Sequence, residues 1–275
     1  MSEKTNHMSQ MSCNFRANQK SWLNKGKLGA AVLALAVTIF VPRAKAQEAK
    51  PPEELASVVE KLEKAANDRN IKRVMRYYGE DFTNQDGLTA DGVRTALEQM
   101  WSNYSQLTYD TEILSWSEEG EEMVAETATT IVGEKESEGR TIRLESDLKS
   151  RQYFRDGKLV RQEILTEQTK ITSGDRPPEV TVNAPETVKL GDKYAFDTIV
   201  TEPLEGNILL GAAIEEKTAS SLYLDPTSIE LEPLTAGGIY KVVTAPRFED
   251  NHWLSAIVVR GDGITMVTQR VRVEE

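Results

Sequence analysis

The chain has 275 residues, of which 39% are hydrophobic and 28% are charged, and its formal net charge at pH 7 is −11. This composition is ordinary for a globular protein, and the length allows about two domains of roughly 100–150 residues each. Because an acidic surface repels nucleic acid and anionic lipid, the charge argues against a nucleic-acid partner.

The first 46 residues predict a secretory signal peptide. Basic residues precede an uncharged apolar stretch at 28–41, and Ala44-Lys45-Ala46 places small residues at the −3 and −1 positions of a cleavage site. The alternative is an uncleaved anchor, but this stretch is shorter than the roughly 20 residues that cross a bilayer. We therefore expect cleavage after Ala46, export to the periplasm or another extracytoplasmic compartment, and no membrane span in the mature chain.

Removal of the signal peptide changes both the charge and the cysteine content. The mature chain keeps 26 basic and 43 acidic residues, a net charge of −17, and loses Cys13, the only cysteine. A mature chain without cysteine has no disulfide, thiol nucleophile or thiolate metal ligand. Export without disulfides favours a bacterial cell envelope.

The first part of the mature chain predicts three helices followed by four strands. Apolar residues recur at helical spacing from Leu55 to Ala66, through a short second helix from Ile71 to Tyr78, and from Val93 to Tyr104, with Asn70 and Thr89 as N-caps. After Tyr104 the period becomes 2. The strands are predicted near 107–116, 121–133, 140–154 and 158–171.

Residues 173–178 predict a linker, and the chain beyond it predicts about seven short strands separated by turns. The predicted fold class is therefore an α+β N-terminal cone, with three helices packed on a curved antiparallel sheet, followed by an all-β sandwich domain. The corresponding domains are residues 47–172 and 179–275.

Two segments suggest a family for the first domain: the entry into the third helix at 87–97, Gly-Leu-Thr-Ala-Asp-Gly-Val-Arg-Thr-Ala-Leu, and the hairpin at 153–162, Tyr-Phe-Arg-Asp-Gly-Lys-Leu-Val-Arg-Gln. With the element order, they make residues 50–170 resemble the nuclear transport factor 2-like superfamily, which includes SnoaL-like and ketosteroid-isomerase-like proteins. The resemblance implies a cone whose interior holds the site, but this family contains enzymes, ligand binders and interaction modules. The second domain loosely resembles an immunoglobulin-like sandwich.

Strand parity predicts which side chains point into the cone. On the last strand, parity places Thr166 inward and Glu167 outward, and no strand offers an inward carboxylate or imidazole. Family isomerases and dehydratases use an interior Asp or His as a general base, so no catalytic residue is assigned; Asp81 and Asp110 would come into reach only if a bulge shifted the register.

The predicted interior still contains polar and aromatic side chains that could line a pocket for a small apolar ligand. The alternative is that the aromatic residues are core and the polar residues lie near a rim. The candidate lining residues are Tyr78, Trp101, Tyr104, Thr127, Thr129, Ser146, Ser150, Gln152 and Gln162.

Charged residues of alternating sign occupy the outward positions of 143–153, where they could pair with Arg161, Glu163 and Glu167. This surface is either solvated or a homodimer interface. The acidic turn at 118–122 and the loop at 247–253, which holds His252, lack the ligand spacing of known metal motifs, so neither a metal nor a cofactor is predicted.

The sequence thus predicts an exported, non-catalytic protein of the bacterial envelope that binds a small apolar ligand or serves as a protein–protein interaction module. The alternative is a cofactor-free isomerase, cyclase or dehydratase that acts inside the cone.

Overall fold

The computed structural model describes residues 50–137, 139–204, 206–223, 227, 230–234 and 237–275. The predicted signal peptide at 1–46 lies outside the described residues. From residue 50 onward the chain belongs to one compact unit. Strands dominate it, and we refer below to residues 50–174 as the first half and 175–275 as the second half.

The helices are α1 (Glu53–Asn67), α2 (Ile71–Val74) and α3 (Ala90–Asn103). The predicted caps are confirmed, since Asn70 Oδ1 accepts a hydrogen bond from Arg73 N (3.1 Å) and Thr89 Oγ1 accepts one from Gly92 N (3.3 Å). The second helix is a single turn followed by a 3-10 turn, so the prediction of a helix through Tyr78 is wrong. Among the described helices, none combines the length and apolar character needed to cross a membrane.

The four strands predicted after the third helix are present, and one strand precedes them. The first-half strands are β1 (Tyr78–Asn84), β2 (Gln106–Glu119), β3 (Glu122–Ser137), β4 (Arg140–Arg155) and β5 (Lys158–Gly174). The Asp156-Gly157 turn joins β4 to β5, and both of its residues have positive φ, at 51° and 70°.

The second half is built almost entirely from strands. Its strands are β6 (Val180–Asn183), β7 (Thr187–Lys189), β8 (Lys193–Val200), β9 (Leu209–Lys217), β10 (Glu232–Leu234), β11 (Gly238–Thr244), β12 (Asp250–Arg260) and β13 (Gly263–Glu274). A 3-10 turn at Ser220–Tyr223 follows β9. The strand pattern of the sequence does not predict β7, which is only three residues long.

The predicted fold class, a three-helix cone followed by a sandwich, is wrong. In the described part of the chain, a ten-stranded sheet of order β10-β9-β12-β13-β5-β4-β3-β2, with β1 paired to β5 and β7 to β13, runs through both halves. A three-stranded sheet of order β11-β8-β6 accompanies it. The prediction failed because β5 pairs with β13 from Gln168 to Gly174, a long-range contact that local patterns do not encode.

Each face of the large sheet supports a separate core. The inner face packs Ala125 and Phe154 against Leu55 and Val59 of α1 and Phe82 of β1. The outer face packs β12 and β13 against the three-stranded sheet, and its buried residues include Phe196, Val243, Leu254 and Val271. The same sheet is therefore covered on one face in the first half and on the other in the second.

Candidate functional site

Four of the nine predicted lining residues meet around one hydroxyl group on the inner face. Ser150 Oγ lies 3.1 Å from Thr127 Oγ1, and it also accepts hydrogen bonds from Gln152 Nε2 and Gln162 Nε2, both at 3.3 Å. Thr127, Ser150 and Gln152 are buried, with at most 8% of their surface exposed. Their polar atoms satisfy one another, which is what a packed polar core requires.

The other five predicted lining residues are spread over the first half. Ser146 Oγ pairs with Thr169 Oγ1 (2.7 Å), and Thr129 Oγ1 pairs with Thr111 Oγ1 (3.1 Å). Trp101 Nε1 donates a hydrogen bond to Tyr109 Oη (3.1 Å).

The two tyrosines of this set make aromatic contacts. The Tyr78 ring packs edge-on against Phe82, with ring centroids 4.8 Å apart, and the Lys135 ammonium lies 5.1 Å from the centre of the Tyr104 ring. Burial raises the pKa of Tyr78 to about 12. The nine residues therefore do not converge on a single point.

Glu167 points to the inner face, contrary to the parity prediction. Lys149 pairs with Thr166 but Ser150 pairs with Ile164, so Leu165 is an extra residue in β5. Such a β-bulge reverses the alternation of side chains beyond it. Consequently Thr166 lies on the outer face with Lys149, and Glu167 lies on the inner face opposite Leu148.

Glu167 belongs to a buried ionic cluster that sequence analysis did not identify. The Arg270 guanidinium donates to both carboxylate oxygens of Asp86 (2.7 and 3.0 Å) and, through Nε and a terminal nitrogen, to Glu167 Oε2 (3.1 and 3.0 Å). Tyr223 Oη donates to Asp86 Oδ2 (2.7 Å), and Trp253 Nε1 donates to Glu167 Oε2 (2.8 Å). The side chains of Arg270 and Asp86 are fully buried. We call Asp86, Glu167, Tyr223, Trp253 and Arg270 the Arg270 cluster.

The electrostatics of this cluster favour the charged form of Asp86. Burial alone would raise the pKa of Asp86, but hydrogen bonds and charge from Arg270, with the Tyr223 hydroxyl, outweigh burial and hold that pKa below 3.8. Burial, reinforced by the charge of Glu167, raises the pKa of Tyr223 above its ordinary value. At neutral pH, Arg270 and Asp86 are therefore charged and the phenol of Tyr223 is neutral.

The cluster lies where β5 changes partners. β1 pairs with β5 up to Gln162, and β13 pairs with it from Gln168, which leaves the edge of β5 uncovered between them. The loop after β1 fills this gap, since Gln85 Nε2 donates to Ile164 O (2.9 Å) and the next residue, Asp86, binds Arg270. The only local signal in the sequence was the Asp86-Gly87 turn, which does not reveal a partner 184 residues away.

The outer face carries two adjacent clefts of about 320 Å³ each, which share Asp147 and Gln168. We call them together the outer groove. The first cleft lies between β6 and the large sheet, and it is lined by Glu145, Asp147, Gln168, Thr169, Lys170, Val180, Val182, Val267, Thr268 and Gln269. The second is lined by Ala128, Thr129, Thr130, Asp147, Leu148, Lys149, Thr166, Gln168 and Glu186.

The charges in the outer groove differ from those elsewhere on the outer face. Towards the ends of β4, Arg143 pairs with Glu134 (3.4 Å), and Arg151 pairs with Glu126 (2.6 Å) and Glu163 (3.7 Å). The predicted cross-strand pairing with Glu163 is thus confirmed, whereas the pairing with Glu167 is wrong. Within the groove, the acids and lysines have no ion-pair partner among the described residues; they are Glu145, Asp147, Lys149, Lys170 and Glu186.

Acidic residues elsewhere form pairs rather than a metal site. His252 Nδ1 lies 3.1 Å from Glu215 Oε1, and Asp250 Oδ2 accepts from Lys217 Nζ (3.0 Å). Within the described ranges, no three His, Cys, Asp or Glu side chains are placed to hold a metal ion together.

A family model matches part of the chain, within the second half. The model of a family described as a domain of unknown function, DUF8623, matches residues 175–274. No curated protein sequence matches the chain.

Several solved structures share part of the fold at low similarity. Bdellovibrio bacteriovorus Bd1075 is 14% identical with a TM-score of 0.31, and the match spans 40% of each chain. A candidate SnoaL-like polyketide cyclase from Shewanella putrefaciens is 16% identical with a TM-score of 0.33, over 42% of this chain and 90% of that one. An epoxide hydrolase of the LEH-like type from M. tuberculosis is 15% identical with a TM-score of 0.31, over 40% of this chain and 80% of that one.

All three TM-scores are below 0.5, so these matches carry no argument about the fold or the activity of this chain. The immunoglobulin-like resemblance of the second half stays a prediction.

Proposed function

We propose that the chain is an exported, non-catalytic binding module of the bacterial cell envelope, and that its ligand occupies the outer groove. The observation that carries this proposal is that the charged side chains of the groove form no ion pair with any described residue, next to a surface where charges do form ion pairs. Asp147 Oδ1 accepts one hydrogen bond, from Thr130 Oγ1 (2.7 Å). A positively charged ligand could neutralise Glu145 and Asp147 without breaking an existing ion pair. The volume of each cleft, about 320 Å³, is in the range of small-molecule and peptide side-chain sites.

The inner face is a poorer candidate for the binding site, because its polar groups are already engaged with one another. Its hydroxyl and amide groups bond one another around Ser150, and the Glu167 carboxylate is engaged by Arg270 and Trp253. A general base must be free to reach a substrate proton. Export is supported by the sequence of residues 1–46, and the DUF8623 match to the second half is compatible with any binding role.

Native mass spectrometry of the protein recovered from its own extracytoplasmic fraction tests the proposal. We expect wild type to carry a mass excess that denaturation removes, and the double variant Glu145→Lys/Asp147→Lys to lose it. A matched charge reversal outside the groove, Glu118→Lys/Glu121→Lys, should retain it. Loss of the excess in Gln162→Leu but not in the groove variant would move the ligand to the inner face and overturn the proposal.

A proton-transferring enzyme is the second candidate function, and one observation favours it. The parity prediction found no inward carboxylate, yet Glu167 lies on the inner face and keeps 14% of its side chain exposed. This candidate predicts that the protein catalyses deuterium exchange at the α-carbon of enolisable cyclic ketones, measured by NMR. Glu167→Gln should abolish the exchange and the exposed-site control Asp91→Asn should keep it; wild type without exchange eliminates this reaction class.

A further inference from the structure

The first cleft of the outer groove is bounded by a strand with one unpaired edge. β6 is the last strand of the three-stranded sheet, and in the described part of the chain it pairs only with β8. An unpaired edge presents a row of N–H and C=O groups that can accept another strand.

The register shows which backbone groups of β6 are available. Thr201 N donates to Glu179 O (2.9 Å), and the register places Thr181 opposite Ile199 and Asn183 opposite Asp197. Bonding and non-bonding positions alternate in an antiparallel pair. The N–H and C=O groups of Val180 and Val182 therefore point away from β8, while the side chains of these two valines line the first cleft.

The free edge is held rigidly at both ends. Thr265 Oγ1 donates to Pro178 O (2.6 Å) just before β6, and Gln269 Nε2 donates to the carbonyls of Ala184 (3.0 Å) and Pro185 (3.2 Å) just after it. Thr265 and Gln269 are themselves buried. A strand edge fixed in this way pays little ordering entropy when a partner binds.

From these observations we infer that β6 accepts an extended peptide segment of a basic protein as an added strand, with alternate side chains of the peptide directed at the floor of the outer groove. This inference rests on the proposed function and specifies its ligand. Peptide side chains that lie next to Val180 and Val182 in the added strand point to the same side as these valines, towards Glu145 and Asp147. Lysine or arginine fits there because the aliphatic stem packs on valine while the charge reaches the carboxylates.

The charge of the chain selects this occupant over a second copy. The chain carries a net charge of −11, and −17 after the predicted cleavage, so pairing β6 with another copy would bring two acidic surfaces together. A basic segment is instead attracted over a distance and oriented by the acids at the floor.

The test measures binding of synthetic peptides to mature protein (47–275) by fluorescence anisotropy. The probe is an eight-residue peptide that alternates threonine and lysine. The comparison peptides replace lysine with glutamate, or carry N-methyl groups on every second backbone nitrogen. We expect the first peptide to bind and both others to bind at least about tenfold more weakly, since they lack charge complementarity or the strand hydrogen bonds.

Two protein variants complete the test. Val182→Pro removes a backbone N–H that points away from β8, so it should weaken the peptide at least about tenfold without opening the β6–β8 pair. Glu145→Lys/Asp147→Lys should do the same, and Glu118→Lys/Glu121→Lys should have no effect. Thermal melts establish that each variant is folded, and the N-methylated peptide tests the same backbone bonds on unaltered protein.

The outcomes separate this inference from the proposed function. Equal binding of the N-methylated and unmodified peptides overturns strand addition, while sensitivity to Glu145→Lys/Asp147→Lys would keep the groove as the binding site. Peptide binding that is unaffected by Glu145→Lys/Asp147→Lys overturns the inference, because the peptide then binds outside the groove. No binding of any peptide overturns the inference alone, because the ligand recovered in native mass spectrometry decides the proposed function independently.

Discussion

The Arg270 side chain connects several parts of the chain that are distant in sequence. Its guanidinium joins the loop after β1, strand β5 and the 3-10 turn at Ser220–Tyr223, and lies 5.4 Å from the Trp253 ring. Burying an ion pair costs desolvation energy, and removing one partner leaves the other charge buried without a counter-charge. The main contribution of Arg270 to stability is therefore that it neutralises the carboxylates of Asp86 and Glu167.

Replacing this guanidinium should be strongly destabilising. We expect Arg270→Met to lower the free energy of unfolding by about 3–5 kcal/mol, because Asp86 and Glu167 would remain buried without a cation. Urea denaturation of mature protein measures the change. The matched control is Arg272→Met on the same strand, whose side chain is 31% exposed and pairs with Glu274, and we expect it to cost less than about 1 kcal/mol. Equal effects of the two substitutions would contradict this role for Arg270.

The depressed pKa of Asp86 makes stability depend on pH. Because this pKa is lower in the folded state than its ordinary value of 3.8, the contribution is complete above about pH 4 and is lost as pH falls through the folded-state pKa. Urea denaturation from pH 6 to pH 2 should show a steep loss of stability below about pH 4 in wild type and a shallower one in Asp86→Asn. Asp91→Asn, at an exposed position of α3, should keep the wild-type slope; a wild-type slope in Asp86→Asn would refute the assignment.

Among the secondary-structure elements, β5 contains a bulge that determines which of its side chains face inward. The extra residue Leu165 lets one strand place Gln162 on the inner face and, five residues later, Glu167 on the same face. If Leu165 were paired instead of bulged, Glu167 would follow the outward parity that the sequence predicts. The bulge thus supplies the acid that anchors Arg270 and Trp253.

Deleting Leu165 should remove the bulge but keep Glu167 opposite Leu148 on the inner face, because Ile164 and Thr166 already pair with the consecutive residues Ser150 and Lys149. In a Trp101→Phe/Trp116→Phe background, Trp253 is the only tryptophan of the mature chain, and the single deletion should leave its emission position unchanged. Deleting Thr166 as well places Glu167 opposite Lys149 on the outer face, so the emission should shift to the red as water reaches the indole. The same emission position in both deletion variants would show that the register of β5 does not control the orientation of Glu167.

For the whole molecule, the shared sheet is the dominant feature. β5 belongs to the first half and β13 to the second, and the two strands pair with each other. Either half alone would therefore expose an unpaired strand edge that the other half covers. A second buried cation lies within the second half, where Arg260 binds Glu202 and Asp262 and donates to Arg176 O (2.8 Å). The division into residues 47–172 and 179–275 remains a prediction about whether the two parts fold independently.

Separate expression of residues 47–172 and 179–275 tests this point. We expect each fragment to unfold at a lower urea concentration than the intact chain, because each exposes the edge and the polar groups that the other covers. Circular dichroism during urea titration provides the measurement. Two fragments with the same midpoints as the intact protein would establish independent domains instead.

The features that depend on residues close together in the chain could be predicted from local sequence. The caps at Asn70 and Thr89, the long strands after Tyr104 and the Asp156-Gly157 turn follow from local backbone preferences and from the period of apolar residues, so they were predicted correctly. Tertiary structure alone decided what depends on distant partners: the bulge at Leu165, the pairing of β5 with β13, and the contact of Asp86 with Arg270. Strand register and the ion pair between Asp86 and Arg270 depend on the packing of the whole chain. These two residues lie 184 positions apart, so no local sequence pattern includes both.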